Sequence, residues 1–235
     1  MPRTPRYNVI GLAGVVCTAG LGWVAGSAIS AGPAYPLVAA ACFAVLFISV
    51  VIIAGAHHPH TRFGPANSVT TIRAIAAALA AGLVGQAVPP PILWAAVGVT
   101  ALMVALDGVD GWLARSTGMA SAFGARFDME TDAAFILILS VLVWQHDKAG
   151  PWVLGCGLMR YAFVAAGQMM PWLAKPLRGT RRGRVVAIIQ LIGLGLALAP
   201  LVRPPVSAAV AAITLAALAW SFAIDVAWLW RRRGE

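Results

Sequence analysis

Most of the acidic side chains in this sequence lie in one short stretch. The chain has 235 residues, of which eight are acidic, and five of these eight fall between positions 107 and 132. Four of the five are aspartates: Asp107, Asp110, Asp128 and Asp132. Residues three or four positions apart share one face of an α-helix, so each pair forms a carboxylate stripe. A short turn at 116–120 predicts antiparallel helices whose four carboxylates converge.

Four carboxylates held together in an apolar environment repel each other unless a cation neutralises them. Mg²⁺ and Mn²⁺ suit this role because they prefer oxygen ligands and accept phosphate oxygens as well. Such ions could clamp a diphosphate while a carboxylate deprotonates an incoming hydroxyl, which is displacement at phosphorus. A membrane cation or proton transporter is the alternative use of such buried acids.

Small and basic residues occur at defined positions around the aspartates. The stretch fits the pattern D-x2-D-G-x2-A-R-x8-G-x3-D-x3-D, which adds Gly111, Ala114, Arg115 and Gly124. The small residues allow a bulky ligand to approach the helix backbone, and the arginine can pair with a phosphate. A transporter would explain the carboxylates but has no need of this framework.

At all eight defined positions this stretch resembles the signature of the CDP-alcohol phosphatidyltransferase family. The resemblance implies that a phosphatidyl group passes from a CDP-linked alcohol, usually CDP-diacylglycerol, to a small alcohol, with release of CMP. It also implies two divalent ions and a homodimer.

Roles of individual residues follow from the resemblance by position. Asp107, Asp110 and Asp128 are expected to be the chief metal ligands. Asp132 is expected to be the general base and to contact a second metal ion. The CDP moiety is expected to lie against Asp110, Gly111, Ala114, Arg115 and Gly124.

A helix that begins near Pro65 supplies further candidates. Asn67 or Ser68 can cap it, and Thr70 and Arg73 lie in its first turns. The resemblance implies that Asn67, Thr70 and Arg73 face the donor nucleotide. The alternative for Arg73 is that its side chain extends to the membrane surface from near the helix end.

The composition is that of a polytopic helical membrane protein. Hydrophobic residues make up 60% of the chain and charged residues 11%, whereas soluble domains carry about 25% charged residues. The formal net charge is +9, but no basic stripe with interleaved aromatic residues indicates nucleic-acid binding. Basic residues in membrane proteins more often mark cytoplasmic loops and contact anionic lipids.

The hydropathy pattern predicts eight membrane-spanning helices. Residues 1–64 would hold a basic tail, two extra helices and an interfacial loop, and 65–235 a six-helix catalytic core resembling that of the family. The predicted fold class is therefore all-α integral membrane. The predicted spans are 8–30, 36–55, 65–88, 91–115, 121–146, 151–173, 185–201 and 205–230.

The distribution of basic residues predicts the orientation of these spans. With both termini in the cytoplasm, only Lys148 and Arg203 face the other side. The aspartates then open to the cytoplasm, which predicts a multi-pass protein of the cell inner membrane. The cytoplasmic side receives Arg3, Arg6, Arg62, Arg115, Lys175, Arg178, Arg181, Arg182, Arg184 and Arg231–Arg233.

The acceptor is expected to contact residues outside the signature. Arg160 lies deep in a predicted span, where a charge usually marks a cavity or a bound anion. With Arg178 and Arg182 it favours a phosphorylated polyol such as glycerol 3-phosphate. Inositol phosphate, inositol and serine stay open, because Ala133 stands where many glycerophosphate enzymes have a basic residue. Binding of anionic lipid is the alternative for the arginine cluster.

Other polar residues are interpreted without a catalytic role. His57, His58 and His60 have irregular spacing and no acidic or cysteine partner, so an interfacial loop is favoured over a zinc site. Glu130 points away from the aspartate stripe and is expected to serve helix packing or to lie at the interface, and Arg126 is likewise expected at the interface.

Overall fold

The computed structural model describes residues 7–54, 63–175 and 180–233. These ranges form eight α-helices and one short 3₁₀ helix (Pro151–Leu154), and they contain no β-strand. The all-α prediction is therefore confirmed. The helices are α1 (Tyr7–Ala28), α2 (Ala34–Ala54), α3 (Pro65–Ala81), α4 (Pro90–Ser116), α5 (Ala122–Gln145), α6 (Gly155–Met169), α7 (Arg181–Leu198) and α8 (Val206–Arg231).

Four of these helices are long and apolar enough to cross a membrane: α1, α2, α4 and α8. The other four lie at predicted spans but are shorter or more charged. Helices α3 and α6 have 17 and 15 residues, near or below the lower limit of about 17 for a span. Helix α5 carries four charged side chains in its first half, and α7 begins with three arginines in four residues.

The predicted boundaries of three helices were wrong. Helix α3 ends at Ala81 rather than near residue 88, because a series of turns follows Gly82. Helix α6 begins after a 3₁₀ turn and ends at Met169 rather than near 173. Helix α7 begins at Arg181 rather than 185, because the Thr180 hydroxyl accepts a hydrogen bond from the amide of Gly183 at 3.1 Å.

The predicted cap of α3 was also wrong. Asn67 and Ser68 lie inside the helix, and the N-cap position is Gly64. Its φ of 82° is in the left-handed region, which glycine adopts without steric cost. Pro65 follows at the first helical position, where a missing amide hydrogen is no loss.

The chain divides into two compact units, Met1–Ile138 and Leu139–Glu235, and the division falls within α5. In the first unit, α2, α3 and α5 share an aromatic core. Phe47 of α2 meets Phe127 of α5 edge to face, with ring centroids 5.8 Å apart. Phe123 packs beside Phe127, and Ala74 and Ala78 of α3 complete the contact. These interactions place α3 and α5 side by side.

Helix α2 also packs on α1 and α3 through close contacts. A Cβ at Gly14 of α1 would lie 2.3 Å from the ring of Phe43, so the aromatic ring rests directly on the helix backbone. The Tyr35 hydroxyl of α2 donates a hydrogen bond to the carbonyl of Leu79 in α3 at 2.9 Å.

The predicted division of the chain at residue 64 stays a prediction.

In the second unit, α7 packs on α8 at a point where both helices carry small residues. A Cβ at Gly193 would lie 2.2 Å from the Thr214 methyl group. Phe163 of α6 meets Phe222 of α8 edge to face, at a centroid distance of 5.5 Å.

Lys148, in the loop after α5, is a buried cation of the second unit. Its side chain is 8% exposed, and its ammonium group donates hydrogen bonds to the carbonyls of Ala199 (3.0 Å), Pro200 (3.4 Å) and Val202 (2.7 Å). Its own carbonyl accepts from the Ser207 hydroxyl at 2.6 Å. Burial, and to a lesser extent the charge of Arg203, lowers the pKa of Lys148. This lysine therefore ties the loop between α7 and α8 to the end of α5.

We predict that Lys148→Met lowers the free energy of unfolding by about 2–3 kcal/mol, because buried carbonyls lose a charged donor. Lys175→Met is the matched control, since Lys175 reaches one carbonyl within the described part of the chain, that of Arg232, at 2.7 Å, and should cost about 1 kcal/mol. Denaturant unfolding of the full chain in detergent micelles measures both. Equal losses in the two variants would contradict this role of Lys148.

Candidate active site

The four predicted aspartates converge, as the helical spacing requires. Asp107 and Asp110 lie in α4 and Asp128 and Asp132 in α5, and a turn that contains Gly118 (φ 65°) joins the two helices. Carboxylate oxygens of Asp107, Asp110 and Asp128 all lie within 4.8 Å of one another. A hard divalent ion fits such an all-oxygen donor set.

Arg73 enters this cluster from α3 and contacts all four aspartates. Its side chain is 0% exposed. One terminal nitrogen, Nη1, donates to Asp110 and Asp128. The other, Nη2, donates to Asp132, and to Asp107 at 3.3 Å. The alternative that Arg73 extends to the membrane surface was wrong, because the aspartates hold its charge inside the unit.

A cleft of about 230 Å³ lies beside the aspartates. Seven of the eight residues predicted to bind CDP line it, and Arg73 is the exception. The seven are Asn67, Thr70, Asp110, Gly111, Ala114, Arg115 and Gly124. A single concave surface thus joins the first turns of α3 to both halves of the signature.

Gly124 allows α3 and α5 to approach each other at the cleft. A Cβ at this position would lie 2.6 Å from the Asn67 side-chain oxygen. Asn67 is 5% exposed, and its amide nitrogen donates to the carbonyl of Phe63. The amide of Gly124 in turn donates to the Ser121 hydroxyl at 3.0 Å. A larger residue at position 124 would therefore have to displace the Asn67 side chain.

Thr70 and Arg115 extend the polar surface of the cleft in different ways. The Thr70 hydroxyl bonds to the Ala66 carbonyl at 3.1 Å and lies 3.5 Å from an oxygen of Asp110. Arg115 is exposed and folds over Gly111, where a Cβ would lie 3.2 Å from its guanidinium. Its charge is accordingly available to an anion in the cleft.

Five further residues line the cleft that sequence reasoning did not single out: Ala66, Met119, Ala120, Ser121 and Ala125. The Ser121 hydroxyl accepts a hydrogen bond from the amide of Gly124. The position of Gly124 in the sequence pattern was the signal that could have identified Ser121. The Met119 side chain packs against Gly64, at the start of α3. No periodicity relates the turn residues Met119, Ala120 and Ser121 to the helix pattern.

The predicted acceptor residues belong to the second unit. Arg160 is the sixth residue of α6 and is partly buried. Arg182 of α7 pairs with Asp225 of α8 and donates to the Ser221 hydroxyl at 3.2 Å. Arg178, His57, His58 and His60 lie outside the described residues.

Glu130 is buried and pairs with Arg126 at 2.9 Å, as its predicted packing role requires.

We predict that Gly124→Ala raises the dissociation constant for CDP about tenfold, because the added methyl group displaces Asn67 from the cleft. Gly98→Ala is the matched control, since a Cβ at Gly98 of α4 meets no atom within 4 Å. Isothermal titration of the purified chain with CDP and Mg²⁺ measures both. Unchanged affinity in Gly124→Ala would contradict the steric argument.

Comparison with known proteins distinguishes the phosphatidyltransferase hypothesis from the cation or proton transporter hypothesis. A family model, CDP-alcohol phosphatidyltransferase, matches residues 64–224. No curated protein matches the chain. No solved structure matches it either. The family uses divalent metal ions, which agrees with the carboxylate donor set. The chain therefore belongs to the CDP-alcohol phosphatidyltransferase family and is a membrane enzyme that transfers a phosphatidyl group from a CDP-alcohol to an acceptor.

Proposed function

We propose that this enzyme transfers the phosphatidyl group of CDP-diacylglycerol to a phosphorylated polyol, such as glycerol 3-phosphate, and releases CMP in phospholipid biosynthesis. The observation that carries the reaction is the convergence of four aspartates at one side of a cleft lined by small residues. The family match supports the same reaction class.

Asp107, Asp110 and Asp128 are proposed to hold divalent ions, with Asp132 contacting the second of two. Mg²⁺ and Mn²⁺ are the candidates, because both prefer carboxylate and phosphate oxygens. When bound, the ions neutralise the diphosphate and stabilise the charge on the departing phosphate of CMP.

The donor's nucleotide is proposed to lie in the cleft beside these aspartates. Gly111, Ala114 and Gly124 have little or no side chain. The diphosphate can therefore approach the helix backbone and reach the carboxylate cluster. Arg115 can pair with a phosphate group, since its guanidinium is exposed at the edge of the cleft. Asn67 and Thr70 present oxygen atoms from the opposite helix, α3.

Asp132 is proposed as the general base. Its carboxylate takes the proton of the acceptor hydroxyl as that oxygen attacks the phosphorus atom, and the bond from phosphorus to CMP breaks. Asp132 is 19% exposed and is held by Nη2 of Arg73. This contact orients the carboxylate, while the exposed part leaves room for the approaching hydroxyl.

Arg160, Arg178 and Arg182 are proposed to bind the phosphate of the acceptor. Arg160 supports this proposal because it is partly buried in α6, which the sequence predicts to span the membrane, where an arginine charge needs an anion, a carbonyl or water. Arg182 is positioned by Asp225 and Ser221, and such pairing holds an arginine side chain in one orientation. Inositol phosphate, inositol and serine are the alternative acceptors.

The cellular setting is proposed from the charge distribution and the family resemblance. Basic residues concentrate in loops on one predicted side, which favours a multi-pass protein of the cell inner membrane with a cytoplasmic active site. A homodimer is proposed from the resemblance to the family.

We predict that purified enzyme releases CMP from CDP-diacylglycerol only with Mg²⁺ or Mn²⁺, and that Asp128→Asn lowers the rate at least about 100-fold by removing a metal ligand. Glu130→Gln, two residues along α5 and paired with Arg126, is the control and should keep most of the activity. Release that is independent of added metal after chelation, or full activity of Asp128→Asn, would contradict the proposed metal ligands.

We predict that Arg160→Gln raises the KM for glycerol 3-phosphate about tenfold, because a charged hydrogen bond to phosphate is lost. The KM for CDP-diacylglycerol should not change. The control is Arg203→Gln, an exposed arginine in the loop between α7 and α8. Release with free inositol or serine, and none with glycerol 3-phosphate or inositol phosphate, would overturn the phosphorylated acceptor while leaving the reaction class intact.

A further inference from the structure

Arg73 is the one residue of the predicted nucleotide site that the cleft does not include. Its side chain is fully buried and does not line the cleft, although two of the aspartates that it contacts, Asp110 and Asp128, do. A buried arginine is costly unless its charge is paired. Arg73 therefore has a role in the aspartate cluster itself, separate from contact with the nucleotide.

The guanidinium joins the two signature helices in two layers. Nη1 bridges Asp110 of α4 and Asp128 of α5. Nη2 bridges Asp107 of α4 and Asp132 of α5. Each terminal nitrogen thus takes one carboxylate from each helix, which is the fork geometry that arginine provides and lysine does not.

The same carboxylates are those a divalent ion needs. Asp107, Asp110 and Asp128 form the candidate ion site, with oxygens within 4.8 Å of one another. Arg73 already donates hydrogen bonds to an oxygen of each. An ion at these carboxylates must share ligands with the guanidinium and lie close to its positive charge. Repulsion between two cations that share ligands in a partly buried site is large.

We propose that Arg73 is a built-in counter-cation that sets the affinity of the aspartate cluster for divalent ions. It keeps four neighbouring carboxylates together, and it weakens ion binding by competing for their oxygens and their charge. Tight binding of the ions then requires the extra oxygens and negative charge of the donor's diphosphate. This inference rests on the proposed metal site.

Arg126 provides the comparison that separates this role from a general charge effect. It lies on α5, two residues before Asp128, and pairs with Glu130. The structure gives it no contact with the four aspartates. Arg126→Gln and Arg73→Gln remove the same charge from neighbouring elements of the first unit, but only Arg73→Gln frees aspartate oxygens.

The experiment measures Mn²⁺ binding to the full chain in detergent micelles without nucleotide, by the electron paramagnetic resonance signal of free Mn²⁺. We expect Arg73→Gln to bind Mn²⁺ at least about tenfold more tightly than the unmodified chain. Its thermal unfolding midpoint should fall in chelator and rise on adding Mn²⁺ by more than that of the unmodified chain. Arg73→Lys should show a smaller gain, and Arg126→Gln a change of less than about twofold.

Equal or weaker Mn²⁺ binding by a folded Arg73→Gln chain would overturn the inference, as would an equal gain in Arg126→Gln. If Arg73→Gln does not fold even with Mn²⁺, Arg73→Lys decides, and unchanged or weaker binding by that variant overturns the inference. Absence of Mn²⁺ binding by the unmodified chain, with or without CDP, would overturn the proposed metal site and this inference together. Binding by the unmodified chain without a gain in the variants would overturn this inference alone.

Discussion

The contact between one buried guanidinium and four carboxylates is the interaction on which the first unit depends. Asp107, Asp110, Asp128 and Asp132 lie on two adjacent helices and would repel each other without a cation between them. Arg73 supplies that cation from a third helix, at full burial. Neither the guanidinium nor the group of carboxylates is stable alone in this position, because an unpaired buried charge destabilises a protein by several kcal/mol. The position of α3 and the geometry of the aspartates are consequently determined together.

Small residues make that contact possible. The face of α3 beside Arg73 consists of buried alanines such as Ala74, Ala77 and Ala78, which let neighbouring helices come close. Gly124 does the same for α5 at the cleft. Aromatic rings fill the space behind these residues and hold α2, α3 and α5 in register. Close backbone approach thus serves both the packing of the unit and the shape of the nucleotide cleft.

The two buried cations among the described residues, Arg73 and Lys148, are stabilised by different means. Arg73 is paired with full negative charges, which suits a permanently charged guanidinium. Lys148 is surrounded by carbonyl dipoles that follow the end of α7, and burial lowers its pKa. Carbonyls at a helix C-terminus attract a cation but balance it less completely than carboxylates do. The first arrangement belongs to the active site, and the second stabilises a loop.

The sequence by itself determined the fold class, the aspartate helices and most of the cleft. Helical periodicity and the complete pattern from Asp107 to Asp132 are local signals, and a family match confirms what they indicate. Sequence alone did not determine the place of Arg73, which could equally have extended to the membrane surface. It also missed Gly64 as the cap of α3 and the turn residue Met119 in the cleft. These features depend on contacts between helices far apart in the chain, and local spacing carries no information about which buried charges will meet.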